Sequence, residues 1–164
     1  RVYNGDERTL KLERKSRIND RVSKETAAIS REEYERLRGG DYDWLAETDS
    51  PLLQRFYRLL VHAGFRPAII VDYMREAYVW EEADVRITFD KRLAAAVNGF
   101  DLLDGRLAFV EVLPPPVVIM EIKYRTFLPE QVRALVQPAA SVRSAISKYV
   151  LCRQQGVLHF HFGG

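Results

Sequence analysis

Residues 67–90, PAIIVDYMREAYVWEEADVRITFD, decide the fold. From Pro67 to Trp80 the run is dense in β-branched and aromatic residues, which suit a pleated surface. Glu81-Glu82 offers a turn, and the chain then alternates: Val85, Ile87 and Phe89 face one way, Asp84, Arg86, Thr88 and Asp90 the other. The pattern predicts strands over Ala68–Trp80 and Asp84–Asp90 in one mainly antiparallel sheet.

Working outward, Pro114-Pro115-Pro116 breaks the chain before another strand over Val117–Tyr124. Toward the N-terminus, RTLKLERKSR at 8–17 alternates with period two and predicts a strand over Thr9–Ser16 of the same sheet. Asn4-Gly5-Asp6 before it signals a turn, which makes Arg1–Tyr3 the stub of a hairpin partner and gives the chain the look of a fragment. Asn19-Asp20 is a second turn, followed by a strand over Val22–Ile29. Ser30 and Glu33 form a capping box for a helix over Arg31–Leu37, which Gly39-Gly40 ends, and Asp41–Asp49 reads as loop.

Ser50-Pro51 supplies an N-cap and a first-turn proline for an amphipathic helix over Pro51–Ala63, ending near Gly64. Its Leu52, Phe56, Leu59 and Leu60 side is expected to pack on the sheet. Asn98–Arg106 holds turn residues and reads as a short strand or loop. Helices are predicted over Pro129–Val136 and Ser141–Arg153, the latter with Val142, Ile146, Tyr149 and Val150 on one face. His159 and His161 alternate with Phe160 and Phe162, a pattern that favours a short edge strand over a metal site. Strands of this kind without regular βαβ alternation give an α+β class: a curved antiparallel sheet or barrel with helices packed outside.

The chain has 164 residues, 47% of them hydrophobic, enough for one domain with a real core. No apolar run reaches membrane-spanning length, no signal-peptide pattern opens the chain, and a single cysteine, Cys152, excludes an internal disulfide. A cytoplasmic domain is expected. With 25 basic and 23 acidic residues, net charge +2, it is not built as a nucleic-acid binder. The charge is uneven, however. Residues 1–25 carry Arg1, Arg8, Lys11, Arg14, Lys15, Arg17, Arg21 and Lys24, and the C-terminal stretch is also basic.

Several predicted strands repeat one feature: basic residues, often with an acid, on a single face. Examples are Lys11/Glu13/Lys15, Arg86/Thr88/Asp90 and Glu121/Lys123, with Arg75 beside Tyr73 and Lys24 on the third strand. Each alone is an ordinary solvated strand face. Their recurrence points to a surface rich in Lys and Arg with a few carboxylates, the composition that polyphosphate chains call for. Glu121 and Lys123 lie among Val117, Val118, Ile119, Met120 and Ile122, and two readings stay open. One is a structural ion pair; the other is a metal ligand beside a phosphate contact. The chain has no P-loop, no GxGxxG after a strand, no metal-spaced Cys/His cluster and no nucleophile elbow. His62 and Cys152 read as structural.

Taken in order, RVYNGD (1–6), LKLERKSRI (10–18), GDYDWL (40–45), IVDYMREAYV (70–79), DVRITFD (84–90), VIMEIKY (118–124), FLP (127–129) and SKY (147–149) resemble the VTC domain of polyphosphate polymerases, within the triphosphate tunnel metalloenzyme (CYTH-like) group. The resemblance implies an antiparallel β-tunnel over 1–155, with 156–164 as a tail. By segment match, Arg1, Lys11, Lys15, Lys24, Arg75, Arg86, Lys123 and Lys148 would contact phosphate, with Ser147 a neighbour of the site. Arg75, Arg86, Lys123 and Lys148 would serve catalysis. Glu121 would hold Mn²⁺ or Mg²⁺.

The implied reaction moves the γ-phosphate of ATP, or another nucleoside triphosphate, onto inorganic polyphosphate. Metal-dependent triphosphate hydrolysis and non-catalytic polyphosphate binding are the alternatives. The resemblance implies a further N-terminal strand segment in family members, which the given residues are expected not to include, nor the membrane and inositol-phosphate-sensing domains of eukaryotic relatives.

Overall fold

The computed structural model describes residues 1–19, 21–137 and 145–161. They fall into two units, Arg1–Pro67 with Asp101–Arg106, and Ala68–Phe100 with the chain from Leu107 onward. The class is α+β with antiparallel sheets. Among the described residues the strands form two separate sheets, not one sheet or a closed barrel.

In the first unit, β1 (Lys11–Ile18) and β2 (Arg21–Ala28) form an antiparallel hairpin. A single 3₁₀ turn at Glu7–Thr9 precedes β1, so the strand begins two residues later than the alternation suggests. The Arg1 stub does pair with it: Arg1 N donates to Lys11 O at 2.8 Å and Lys11 N donates to Arg1 O at 3.0 Å. Left-handed Asn4 and Gly5 (φ 52 and 65°) turn the chain between them.

Helix α1 (Arg31–Gly39) carries the expected capping box, Glu33 N donating to Ser30 Oγ and Ser30 N to the Glu33 carboxylate, and stops at left-handed Gly40. A short helix, α2 (Trp44–Glu47), replaces the expected loop because burying Trp44 and Leu45 together needs a turn of helix. In α3 (Pro51–Val61) the proline sits at N1, but Ser50 makes no side-chain cap bond. Phe65 N closes back to Leu59 O at 3.0 Å through left-handed Gly64.

Leu53 and Leu60 of α3 join Trp44 and Leu45 in a core to which Leu12 and Ala27 of the hairpin contribute. The expected packing of α3 on strands is met by the hairpin, which among the described residues is a sheet of its own and not part of the sheet within residues 68–124. A two-stranded hairpin is marginal alone, and α3, with Leu37 of α1 and Trp44 and Leu45 of α2, supplies the apolar surface that covers it. The loop at 101–106 belongs to this unit too: Tyr34 Oη donates to Asp101 Oδ1 at 3.0 Å and accepts from Leu102 N at 2.7 Å.

The second unit is built on β3 (Val71–Trp80), β4 (Val85–Ala96), β5 (Phe109–Glu111) and β6 (Ile119–Lys123). The long strand β4 pairs with β3 along one edge and with both β6 and β5 along the other, all antiparallel. The sequence reading stops β4 at Asp90 because alternation fails there, yet the strand continues to Ala96. The cause is a bulge: pairing jumps from Met74–Lys91 to Asp72–Ala94, with Arg92 at φ 52°. The extra residue keeps Leu93 and Ala95 on the face that carries Asp90.

That face meets Cys152 of α5 (Lys148–His161) in a core of Leu93, Ala95, Ile119 and Cys152, flanked by Ile69, Val71 and Tyr73. Cys152 Sγ reaches Ala94 O at 3.6 Å, and burial pushes its thiol up to about 11. α4 (Glu130–Val136) lies between β6 and α5 in the chain.

Two expectations for the C-terminal region change. α5 begins at Lys148; residues 141–144, with Val142, lie outside the described residues, and Ala145–Ser147 are not helical. Ile146, Tyr149 and Val150 are exposed, while Leu151 and Cys152 turn inward. His159, Phe160 and His161 continue α5 instead of forming an edge strand, since nothing after Lys148 interrupts the helix; Phe162 lies outside the described residues. No helix among the described residues is long and apolar enough to cross a membrane.

Candidate functional site

β4 is the organiser of the second unit's charged face. Its alternation sends Arg86, Thr88 and Asp90 to one side, and its two neighbours add the rest. On β6, Lys123 lies opposite Arg86, Glu121 opposite Thr88 and Ile119 opposite Asp90. On β3, Arg75 lies opposite Asp90. Lys148, the first residue of α5, arrives from above the same end.

Asp90 is the anchor. Its side chain is 0% exposed. Arg75 grips it with two parallel bonds, Nε to Oδ1 at 2.6 Å and Nη2 to Oδ2 at 2.7 Å, and Lys148 Nζ sits 2.8 Å from Oδ2. Burial pushes the carboxyl's pKa up, but the bonds from Arg75 and Lys148 outweigh it and hold Asp90 below the usual range. The bond to Asp90 raises the Arg75 guanidinium in turn. Both cations also lie over the Tyr73 ring, at 5.2 and 5.3 Å from its centroid.

Asp90 fixes these cations without exhausting them. A guanidinium has five N–H donors and this geometry uses two; an ammonium has three and uses one. The remaining donors are what a phosphate needs.

At the other end of the face Arg86 and Lys123 oppose one another, a destabilising arrangement unless an anion lies between or beside them. Lys123 pairs with Glu121 at 3.1 Å. Arg86 has no ion-pair partner among the described residues. The structure therefore contains the ion pair that the first of the two readings of Glu121 requires. The apolar run around the pair is not a buried strand throughout: Val117 and Val118, just before β6, are exposed, and the Glu121 side chain is 42% exposed.

For a metal, the described residues offer no group of three ligating side chains. Glu121 is a single half-open carboxylate beside cations. That donor set suits a hard cation held mainly by phosphate oxygens, as magnesium and manganese commonly are, and not one caged by protein.

The first unit carries a second cluster. Glu13, whose side chain is 10% exposed, accepts from Arg1 Nη1 at 2.9 Å and from Lys24 Nζ at 2.8 Å. Burial pushes this carboxyl up, but those two bonds prevail and hold it at about 2. Lys15 lies directly opposite Lys24 and has no ion-pair partner among the described residues. Lys11 and Arg1 both lie over Tyr3.

Of the residues picked from sequence, the structure brings Arg75, Arg86, Glu121, Lys123 and Lys148 onto one sheet face, and Arg1, Lys11, Lys15 and Lys24 onto one hairpin. The two groups belong to different units. Ser147 is placed as a helix cap, its Oγ accepting from Val150 N at 3.4 Å. Sequence reasoning missed the roles of Asp90 and Glu13. An aspartate mid-strand is rare enough to have been a signal.

A family model of the VTC domain matches residues 1–157. The chain belongs to the VTC domain family. No curated protein and no solved structure matches it. The VTC domain is related to the polyphosphate polymerases and associated with phosphoryl transfer. The cation-rich faces above are thus those of a VTC domain, with each basic residue delivered by a strand or helix of defined register.

Proposed function

We propose that this VTC domain transfers the γ-phosphate of ATP to the end of an inorganic polyphosphate chain, assisted by Mn²⁺ or Mg²⁺. The observation that carries the reading is the sheet face on which Arg75, Arg86, Lys123 and Lys148 surround one half-open carboxylate, Glu121. Phosphoryl transfer needs little covalent help from protein; it needs oxygens aligned and charge neutralised. Here a terminal oxygen of the chain attacks the γ-phosphorus, the bond to the bridging β–γ oxygen breaks, and ADP leaves.

Arg75 and Lys148, preset by Asp90, hold phosphate oxygens with their spare donors. Arg86 and Lys123 meet an anion that relieves their mutual repulsion. Glu121 would hold the divalent cation, which when bound neutralises charge on the transferring group. The hairpin cluster of Lys11, Lys15 and Lys24, taken by itself, also has the composition that suits a phosphate anion.

The test is to incubate the full-length protein with ATP and Mn²⁺ and to measure both long-chain polyphosphate and free phosphate. Accumulating polyphosphate is the expected result. Free phosphate alone would replace the reading with triphosphate hydrolysis. Tight binding of polyphosphate with no turnover would reduce it to a binding module.

A further inference from the structure

Thr88 occupies the middle of the charged face, between Arg86 and Asp90 on β4 and opposite Glu121 on β6. The residue is 4% exposed, and its Oγ1 has no hydrogen-bond partner among the described residues. A strand threonine is ordinarily explained by its branched Cβ and methyl group. Valine would supply both without burying a hydroxyl. Buried polar atoms are nearly always bonded, and each exception calls for a reason.

The hydroxyl is shut off from solvent, so a ligand on the open face does not reach it directly. A side chain on the neighbouring strand is placed to do so. Directly opposed residues hold their Cβ atoms about 4.5–5.5 Å apart, within the span of a glutamate side chain. Asp90, the other nearby carboxylate, has both oxygens engaged by Arg75 and Lys148. Glu121 has capacity to spare, since its contact with Lys123 at 3.1 Å is a solvent-exposed pair of the weak kind. A phosphate drawn to Arg86 and Lys123 competes for that lysine.

We infer that Thr88 is a positioning residue for Glu121: once an anion takes Lys123, the Thr88 hydroxyl donates to one carboxylate oxygen of Glu121 and leaves the other directed at the open face. This rests on the phosphate-binding reading of the face. It gives the orphaned donor a partner and explains how a single carboxylate on a mobile two-carbon stem is held steady enough to hold a divalent cation.

Thr88→Val removes the hydroxyl and keeps the shape, and Thr88→Ser keeps the hydroxyl. The full-length proteins are compared by thermal melting and by calorimetric titration with tripolyphosphate alone, then with Mn²⁺ after tripolyphosphate. The inference expects Thr88→Val to melt at or above the wild-type temperature, because an unbonded buried hydroxyl is a liability. Tripolyphosphate affinity should stay within about twofold, while Mn²⁺ affinity in its presence falls about tenfold, the lower end for loss of a supporting hydrogen bond. Thr88→Ser should recover most of that loss.

Equal Mn²⁺ affinity in wild type and Thr88→Val would overturn the inference, as would a Ser variant no better than Val. So would a Val variant melting well below wild type, since the hydroxyl would then be bonded already without ligand. A wild-type protein that binds no tripolyphosphate would overturn both this inference and the phosphate reading beneath it.

Discussion

Burying a carboxylate completely is tolerated only when its charge is answered, and Asp90 is answered twice, by the Arg75 fork and by Lys148. Asp90→Asn would leave two cations facing each other with no counter-charge. The expected cost is about 2–4 kcal/mol in urea unfolding, below the fully buried range because Arg75 and Lys148 stay partly solvated. An unchanged midpoint would show that Asp90 does not anchor the site. Glu121→Gln is a different kind of change: the protein should stay folded and bind triphosphate, yet lose Mn²⁺-dependent turnover by orders of magnitude. Unfolding, or full activity, would make Glu121 an ion-pair partner only. Arg86→Ala, removing a charged donor, should weaken triphosphate binding by about 1.5–3 kcal/mol, measured calorimetrically. The basic residues were legible because alternation assigns a face and Lys or Arg on a repeated face is conspicuous. Asp90 and Thr88 were on the same face in the sequence, but alternation names neither partners nor burial. Those depend on which strand lies opposite, and register is not written in one strand.

At the scale of elements, β1 and the first half of β4 were legible from period two, β3 and β6 from β-rich content beside chain breakers, and α1 and α3 from their start and stop residues. What failed was anything that changes period midway. β4 is the clearest case, since its bulge moves the inward set from even to odd numbers between Asp90 and Leu93. Arg92, at φ 52°, carries the conformational cost. Arg92→Gly should therefore be neutral or stabilising by up to about 1 kcal/mol, the exposed Arg92–Glu111 pair being worth little. Arg92→Val should destabilise by about 1–2 kcal/mol, because a β-branched residue resists positive φ. In denaturant melts the Val variant should fall below wild type and the Gly variant should not. The short helix α2 was missed because four residues are too few to show a period.

For the whole molecule, near-neutral overall charge hides local asymmetry. Glu13, held at about 2, and Asp90, also depressed, bind fewer protons folded than unfolded. Carboxyls of this kind stabilise the fold fully above their unfolded pKa, about 4.5 for glutamate, and lose that contribution as pH falls through the folded value. The melting temperature should be flat from pH 7 to about 5 and fall steadily from there toward pH 2. A melting temperature that rises on acidification would contradict the two ion-paired centres. Tripolyphosphate binding should weaken with added salt as its cationic contacts are screened. Division into two units was not readable from composition, because the 101–106 loop returns to the first unit through Tyr34, a contact made 67 residues apart.

The edge of β4 away from β3 is shared by two short strands, β6 along Arg86–Asp90 and β5 along Ala94–Ala96, with the bulge between their spans. Neither short strand needs the other to stay paired. Amide exchange should therefore report two separate openings along one continuous strand. The Leu93–Ala96 end, clamped beneath α5, should be the slower, and the half that carries Arg86 and Thr88 the quicker to breathe. The half of β4 that carries the charges would then open without unfolding the half that holds the core.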